Sequence, residues 1–327
     1  MRILVTGGAG YIGSHTVKLL LARGHDVTVY DNLSAGHRQA VPDGRLVVGD
    51  LKDVDHLDHV LVVNRVEAVV HFAASCYVGE SVTDPAKYYL NNLQNSLNLL
   101  ERCRRHKVTR FVFSSTCATY GVPDAVPITE AEKQLPINPY GNTKLAFERM
   151  LADYSPAYGM GYAALRYFNA SGAAADGTIG EDHAPETHLI PIVLQVALGK
   201  RSHVEVFGTD YPTPDGTCVR DYIHVEDLAL AHLLALEKLQ PGEGRQYNVG
   251  IGNGYSVREV VRVAEEVTGK RIAVKEGPRR AGDPPQLVAA SDKVRRELGW
   301  EPKYTELRPI VETAWNWHKD HPDGYGD

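Results

Sequence analysis

Short apolar runs alternate with stretches of helical spacing along the first half of the chain. The runs lie at residues 3–6, 27–30, 45–49, 68–72, 111–114 and 162–167. Between them, residues 11–23 and 88–105 place apolar side chains at the 3.6-residue spacing of a helix. Strand and helix repeated in this order favour right-handed crossovers. The pattern therefore predicts an α/β fold with a doubly wound parallel sheet that is covered on both faces.

The pattern changes beyond about residue 170, where Gly- and Pro-rich loops separate shorter elements. It predicts helices at 189–198, 225–239, 257–268, 292–298 and 305–318, and a strand at 246–249 that rejoins the sheet. Ser256 and Glu259 have the spacing of a capping box. We expect a larger domain of residues 1–170 plus about 221–250, interleaved with a smaller α/β domain of about 171–220 plus 251–327. A ligand would bind between them, beyond the carboxyl ends of the strands.

The amino-acid composition excludes several classes of function but does not identify one. The 327 residues are 43% hydrophobic and 23% charged, as in globular proteins, and the net charge is −6. This balance excludes a basic surface for nucleic acid, and no apolar stretch approaches the roughly 18 residues of a membrane span. The four cysteines, Cys76, Cys103, Cys117 and Cys218, form no Cys-x-x-Cys pair. We therefore expect reduced thiols and a cytoplasmic location.

A glycine-rich segment, Thr-Gly-Gly-Ala-Gly-Tyr-Ile-Gly at 6–13, follows the first predicted strand and opens the first helix. Gly7, Gly10 and Gly13 permit a tight turn and let the backbone approach a pyrophosphate, which the helix N-terminus attracts. Asp31 ends the second strand, where a carboxylate accepts hydrogen bonds from a ribose and repels a 2′-phosphate. The segment therefore predicts a Rossmann-like domain that binds NAD rather than NADP.

Other polar groups carry weaker signals. Asp50 and Leu51 close the third strand and Phe72, Ala73 and Ala74 close the fourth, so they line the same cofactor or simply form strand-end turns. The acidic and histidine residues between 53 and 59 resemble a ligand cluster, but their helical spacing fits a solvated face. We predict no metal site.

A Tyr-x-x-x-Lys motif is the second strong signal. Asn138 and Pro139 have the character of an N-cap and a first helical residue, which puts Tyr140 and Lys144 on one helix face. Thr116 ends the fifth strand at the rim where a ligand would bind. A phenol, an ammonium group and a hydroxyl beside a nicotinamide can together transfer a proton. The alternative interpretation is that Tyr140 and Lys144 form an ordinary pair on the surface of the helix.

Lys144 alone does not lower the pKa of Tyr140 enough to make it a base near neutral pH. Lowering the pKa of a phenol to near neutrality costs roughly 4 kcal/mol. One positive charge about 6 Å away supplies roughly 2.8 kcal/mol at an effective dielectric of about 20. Lys144 and a cationic nicotinamide together suffice, so we expect Tyr140 to be a competent base chiefly beside the oxidised cofactor.

More specific motifs cover most of the remaining chain. They are Val-Gly-Glu-Ser at 78–81, Arg-Tyr-Phe-Asn at 166–169, Gly-Glu-Asp at 180–182, Phe-Gly-Thr-Asp-Tyr-Pro-Thr at 207–213, Asp-Gly-Thr at 215–217, Val-Arg-Asp-Tyr-Ile-His-Val at 219–225 and Arg-Arg-Ala-Gly-Asp at 279–283. With them, the sequence resembles the extended short-chain dehydrogenase/reductase superfamily over essentially its whole length. Within that superfamily it resembles the UDP-galactose (UDP-glucose) 4-epimerases.

The resemblance implies reversible C4 epimerisation of UDP-galactose and UDP-glucose through a 4-keto intermediate, with tightly bound NAD. Tyr140 would take the C4 hydroxyl proton through Thr116, and Lys144 would hold the nicotinamide ribose. It also implies a homodimer. The larger domain would bind NAD and the smaller one the UDP-sugar.

The resemblance assigns binding residues as well. Those for the cofactor are Gly7, Gly10, Tyr11, Ile12, Gly13, Asp31, Asn32, Asp50, Leu51, Phe72, Ala73, Ala74, Asn91, Ser114, Tyr140, Lys144 and Tyr167. Those for the substrate are Thr116, Tyr140, Asn169, His188, Leu189, Phe207, Arg220, Arg280, Asp283 and Leu287. Arg220 and Arg280 would hold the diphosphate, because guanidinium groups match its oxygens, and Phe207 would lie near the uracil.

Departures from the family pattern bear on the activity. Cys76 replaces a lysine of several relatives, and Leu287 replaces the gate tyrosine of more restrictive ones. The smaller gate suggests activity on UDP-GalNAc and UDP-GlcNAc. Cys117 and Ala118 stand where sugar-nucleotide dehydratases carry Asp-Glu, which argues against dehydration. The alternatives are a C4 epimerase of another UDP sugar, a pentose or a uronate, and a non-catalytic dinucleotide-sensing protein.

Overall fold

A parallel sheet lies at the centre of the computed structural model, which describes residues 1–280 and 283–326. Within these residues the sheet has seven strands: β1 (Arg2–Thr6), β2 (Asp26–Asp31), β3 (Leu46–Val48), β4 (Ala68–His71), β5 (Arg110–Thr116), β6 (Gly161–Tyr167) and β10 (Gly244–Val249). Their order is β10-β6-β5-β4-β1-β2-β3, and every neighbouring pair is parallel. The predicted doubly wound sheet is confirmed, including the late strand that returns to its edge.

Helices connect and cover these strands. They are α1 (Tyr11–Ala22), α2 (Val54–Val63), α3 (Val78–Thr83), α4 (Pro85–Tyr88), α5 (Asn95–Arg105), α6 (Pro139–Tyr158), α7 (Leu189–Ala197), α8 (Val225–Lys238), α9 (Val257–Thr268), α10 (Asp292–Leu298) and α11 (Leu307–Asp320). Short 3₁₀ turns span Arg38–Ala40 and Cys117–Thr119. In the described part of the chain, no helix is long and apolar enough to cross a membrane.

Both faces of the sheet are buried, which explains its nearly continuous apolar strands. Ile3 and Val5 of β1 face the side that is covered by α1 and α8, whereas Leu4 faces the side of α2, α5 and α6. This alternation follows from the two-residue period of a strand. The two apolar layers fix the sheet, so that the carboxyl ends of its strands form a rigid rim.

The C-terminal part builds its own apolar cluster from α7, α9 and α11. Its strands are β8 (Val204–Phe207), which pairs with β12 (Val274–Gly277), and β9 (Val219–His224), which pairs with β7 (Asn169–Ser171), β11 (Gly254–Ser256) and β13 (Gln286–Leu287). Several of these strands are only two or three residues long. Their residues show no recognisable alternation of apolar and polar side chains, so the sequence pattern did not predict these strands.

The predicted helix at 88–105 is wrong as a single regular helix. The chain instead forms α4, a π-helical segment at Tyr89–Gln94, and then α5. In the π-helical segment Asn92 is buried, and its side chain accepts from Ser75 N at 2.8 Å and donates to Ser75 O at 2.9 Å. The spacing of apolar residues cannot reveal this wider turn, because the residue that is buried there, Asn92, is polar and makes polar contacts. Such turns often occur at functional sites.

Candidate active site

The glycine-rich segment joins β1 to α1 with very little space. Gly7 has φ +71°, and a Cβ there would lie 2.5 Å from Ala73 N. A Cβ on Gly13 would lie 2.2 Å from Gly7 O, so glycine is required at both positions. Gly10, the N-cap of α1, makes no side-chain cap hydrogen bond, and the first turn carries no acidic side chain. The backbone N–H groups of this turn are thus free of side-chain acceptors, which fits the pyrophosphate of a dinucleotide.

Asp31 lies beside this segment at the carboxyl end of β2. Its Oδ2 accepts from Ala9 N and its Oδ1 from Leu33 N, both at 2.9 Å. Burial raises the pKa of Asp31, although these backbone amides oppose the rise. The carboxylate is therefore fixed in place and retains lone pairs for the hydroxyls of a ribose, as expected for an NAD site.

The other residues predicted for the cofactor lie along the same rim. Asn32 Nδ2 donates to Asp50 Oδ2 at 3.1 Å, just beyond β2 and β3. The backbone N of Phe72 donates to Thr6 O at 2.9 Å, which holds the end of β4 against the start of the glycine-rich segment. Asn91, in the π-helical segment, donates to Ser75 Oγ at 3.0 Å. The structure thus brings these residues to one edge of the sheet, and their contacts with a cofactor stay predictions.

The Tyr-x-x-x-Lys motif meets the end of β5. Asn138 caps α6 by accepting from Gly141 N at 2.8 Å, as predicted. Lys144 Nζ donates to Ser114 O at 2.9 Å and lies 5.9 Å from the centre of the Tyr140 ring. Ser114 Oγ lies 2.8 Å from Tyr167 OH, so the residue whose carbonyl Lys144 contacts is also linked to Tyr167.

Burial dominates the electrostatics of this pair. Tyr140, Lys144 and Thr116 are all nearly buried, at 7%, 4% and 7% exposure. Burial raises the pKa of the Tyr140 phenol well above its usual value, and the Thr116 hydroxyl only partly opposes this. Burial also lowers the pKa of Lys144 to about 8. The chain alone therefore does not hold Tyr140 as a phenolate, and another positive charge is required.

Two guanidinium groups meet one carboxylate in the C-terminal part. Arg280 Nε donates to Asp283 Oδ2 at 2.9 Å and its Nη2 to Asp283 Oδ1 at 3.1 Å, while Arg220 Nη2 lies 3.7 Å from Asp283 Oδ1. The Arg280 guanidinium also lies 5.6 Å from the centre of the Phe207 ring, which is 39% exposed. Cationic and aromatic groups together suit a planar anionic ligand. Ala281 and Gly282 of the motif at 279–283 lie outside the described residues.

The remaining substrate candidates divide between two places. Leu287 on β13 pairs in register with Arg220 and packs beside Phe168, and Asn169 Nδ2 donates to Asp221 O at 3.1 Å on the same small sheet. His188 instead caps α7, which begins at Leu189, and its side chain contacts two glutamates. The structure therefore pairs His188 with acidic groups, although it was predicted to contact the substrate, and that contact stays a prediction.

The acidic partners of His188 were not predicted from the sequence. Glu181 and Glu186 are buried, and both contact His183 and His188. Burial alone would lower the pKa of His183, but the close contacts with the Glu181 and Glu186 carboxylates outweigh it and raise the pKa to about 10. The same contacts lower the pKa values of both glutamates despite their burial. The available signal was a repeated Glu-x-His, at 181–183 and 186–188.

Comparisons with known proteins agree over the whole chain. Residues 3–250 match the model of the NAD dependent epimerase/dehydratase family. The UDP-glucose 4-epimerase of Halalkalibacterium halodurans is 54% identical over 99% of this chain and 98% of its own length. The crystal structure of UDP-glucose 4-epimerase from Brucella ovis in complex with NAD is 53% identical, covers 96% of this chain and 97% of that one, and has a TM-score of 0.92. The structure of the UDP-Glc/GlcNAc 4-epimerase from Campylobacter jejuni is 43% identical, covers 97% and 99%, and has a TM-score of 0.85.

Proposed function

Because the chain belongs to the NAD dependent epimerase/dehydratase family, we propose that it interconverts UDP-galactose and UDP-glucose by C4 epimerisation through a 4-keto intermediate. It is an NAD-dependent isomerase, in line with relatives of about 50% identity over their whole length. The observation that carries the proposal is the buried Tyr140–Lys144 pair at the end of β5, beside the glycine-rich segment. A protein that only senses a dinucleotide has no need of such a pair.

Different residues of the chain fit different parts of the cofactor. Gly7, Gly10 and Gly13 leave the backbone amides of α1 open to the pyrophosphate, Asp31 accepts from the adenosine ribose, and Lys144 holds the nicotinamide ribose. Bound NAD⁺ would supply the reversible hydride-transfer chemistry at C4 of the sugar.

Proton transfer belongs to the side chains at the end of β5. The Tyr140 phenolate oxygen takes the proton of the C4 hydroxyl, directly or through Thr116 Oγ1, and gives it back after the sugar has turned over. Since burial disfavours the phenolate, the positive charges of Lys144 and of the oxidised nicotinamide make Tyr140 a competent base. Burial of the pair also excludes water that would reprotonate the phenolate.

The substrate is held by the C-terminal part. Arg220 and Arg280 neutralise the diphosphate, and Phe207 packs against the uracil. Asp283 pairs with both guanidinium groups, so this carboxylate competes with the diphosphate for the two arginines. This division supports a cofactor domain of residues 1–170 plus about 221–250 and a sugar domain of about 171–220 plus 251–327.

The range of sugars depends on the gate at Leu287. A leucine there leaves more room than a tyrosine, and the relative from Campylobacter jejuni is named for both UDP-Glc and GlcNAc. We expect turnover of UDP-GalNAc and UDP-GlcNAc as well. In the variant Leu287→Tyr, the ratio of kcat/KM for UDP-GlcNAc to that for UDP-glucose should fall at least about tenfold. An unchanged ratio, measured by NMR, would remove Leu287 from the gate.

The protein functions as a cytoplasmic homodimer in this proposal. Its cysteines form no disulfide in the described residues, which supports a reducing compartment. Val82, Tyr89, Leu90 and Leu97 are exposed apolar side chains along α3, α5 and the π-helical segment between them, and their proximity in sequence supports a shared interface. Sedimentation of the purified protein should give twice the chain mass, and a monomer at micromolar concentration would contradict the dimer.

The deciding experiment for the function is proton NMR of UDP-galactose with purified protein and no added NAD. The proposal predicts the appearance of UDP-glucose signals until the two sugars equilibrate, because the cofactor stays bound during turnover. Conversion of a UDP-pentose or a UDP-uronate in place of UDP-galactose would favour the alternative epimerases. NAD binding without conversion of any of these sugars would favour a sensing protein.

A further inference from the structure

A buried group of four side chains lies apart from the Tyr140–Lys144 pair. Glu181, His183, Glu186 and His188, which we call the Glu/His cluster, each offer one ligand atom, and these atoms all lie within 4.8 Å of one another. His188 alone among them has a proposed contact with the substrate. The other three residues have no part in the chemistry described above.

The distances between donor atoms match a small coordination sphere. His183 Nδ1 lies 3.3 Å from Glu181 Oε1 and 3.5 Å from Glu186 Oε2, and His188 Nδ1 lies 2.8 Å and 3.1 Å from the Oε1 atoms of Glu181 and Glu186. Ligands at about 2.1 Å from a tetrahedral Zn²⁺ ion are separated by about 3.4 Å. These four distances therefore lie within about 0.6 Å of the tetrahedral spacing, so one ion could contact all four side chains after small shifts.

The hydrogen bonding of the cluster is incomplete although its carboxylates are buried. Glu181 is 3% exposed, yet neither its Oε1 nor His183 Nδ1 has a hydrogen-bond partner of acceptable geometry. Glu186 is held differently, because its Oε1 accepts from the backbone N of Thr187 and of His188 at 2.7 Å. Buried polar atoms that are close but not aligned with one another indicate a shared partner.

Charge and donor type define that partner. A metal ion that binds here displaces the protons of His183 and His188, since imidazole binds metals in its neutral form. Two carboxylates with two neutral imidazoles then carry a formal charge of −2, which a divalent cation cancels. Imidazole nitrogen suits zinc and its neighbours in the first transition row, whereas Mg²⁺ prefers oxygen ligands in an octahedron. Four protein ligands leave no open position for a substrate, which is the pattern of a structural rather than a catalytic site.

We propose that Glu181, His183, Glu186 and His188 bind a divalent transition-metal ion such as Zn²⁺ as a structural site. The ion fastens the segment before α7 to the start of α1, because the His183 ring packs edge-on at 6.3 Å from the ring of Tyr11. No metal site was predicted from the sequence, because the repeated Glu-x-His lies in a loop without periodicity. The arguments for the ion do not use the proposed sugar chemistry, although His188 has a proposed role in both.

The first test is the metal content of the full chain, purified without a polyhistidine tag from zinc-supplemented cells. Elemental analysis should find about one zinc ion per chain. His183→Gln and Glu186→Gln should each lower this content at least about tenfold. The matched control is His59→Gln on α2, where Asp53 caps the helix and Asp58 already pairs with Arg102, and its content should not change. Equal zinc in His183→Gln and the parent would overturn the site.

The second test uses the parent protein alone, so it stands even if the variants fail to fold. After chelator treatment, CoCl₂ should produce the visible absorption of tetrahedral Co²⁺ without a thiolate charge-transfer band, which would instead reveal binding at the exposed Cys76. ZnCl₂ should raise the Tm, and MgCl₂ should not. A folded protein that shows neither the absorption nor the Tm rise would reduce the Glu/His cluster to a set of ion pairs and contradict the proposal.

Discussion

The Tyr140–Lys144 pair and the Glu/His cluster both bury ionisable groups, but the pKa shifts favour the neutral forms in the pair and the charged forms in the cluster. Burial favours the neutral forms of Tyr140 and Lys144, raising the pKa of the phenol and lowering that of the ammonium group to about 8. In the Glu/His cluster the opposite charges outweigh burial, which raises the pKa of His183 to about 10 and lowers that of Glu181. The pair therefore depends on a charge from outside the chain, whereas the cluster stabilises its charged forms internally. The first arrangement serves chemistry and the second serves structure.

The largest effect should come from Tyr140→Phe. Loss of the phenol removes the base and acid of the reaction, so kcat for UDP-galactose should fall by about 10³-fold or more. NMR of the sugar measures the rate, and circular dichroism and NAD content should remain those of the parent. A variant that keeps a tenth of the parent rate would remove Tyr140 from the proton-transfer step.

Glu186→Gln should chiefly affect stability. In the chelator-treated, metal-free protein, removing one carboxylate leaves a buried imidazolium without its partner, which should lower the free energy of unfolding by about 3–5 kcal/mol. Urea unfolding measures the loss, and kcat of the folded fraction should fall far less than in Tyr140→Phe. Glu67→Gln, in an exposed ion pair with Arg2, is the control and should cost less than about 1 kcal/mol. If Glu186→Gln and Glu67→Gln lowered the free energy of unfolding equally, the Glu/His cluster would contribute no more to stability than an exposed ion pair.

Lys144→Met should show that the catalytic pair lowers stability. The pKa of Lys144 falls from 10.5 to about 8 on folding, so the folded state disfavours the ammonium form. That cost is fully present below about pH 8 and disappears as the pH rises toward 10.5, amounting to up to about 3 kcal/mol. The inactive methionine variant should be the more stable protein at pH 7, and its advantage in urea should shrink by pH 10. An advantage independent of pH would contradict this origin.

Sequence patterns predicted the parts of the molecule that depend on long periodic elements. The segment from β1 through α1 to β2 was predicted within a residue or two, because buried strands and an amphipathic helix have strong signals, and so was the capping box that Ser256 and Glu259 form at α9. The π-helical segment and the two- or three-residue strands beside Arg220 depend on contacts between distant residues, and local periodicity does not report them.

The candidate site divides in the same way. Tyr140 and Lys144 were predicted to meet the end of β5, because one helix face and one strand end determine their positions. The contact of His188 with Glu181 depends on how the loop before α7 folds back on itself. A repeated Glu-x-His in a loop has no periodicity that fixes its shape, so only the structure could show that four ligand atoms converge there.

The measurement that bears most directly on this contrast is the pKa of Tyr140 in the two cofactor states. Carbon NMR of protein labelled at the tyrosine Cζ gives it, with the signal assigned by its absence in Tyr140→Phe. Because the oxidised nicotinamide carries one positive charge that NADH lacks, we expect the pKa of Tyr140 to be lower with NAD⁺ than with NADH. The expected difference is about two pH units, the effect of one charge about 6 Å away at an effective dielectric of about 20. The same titration midpoint in both states would show that the phenolate does not depend on the cofactor and would contradict the account.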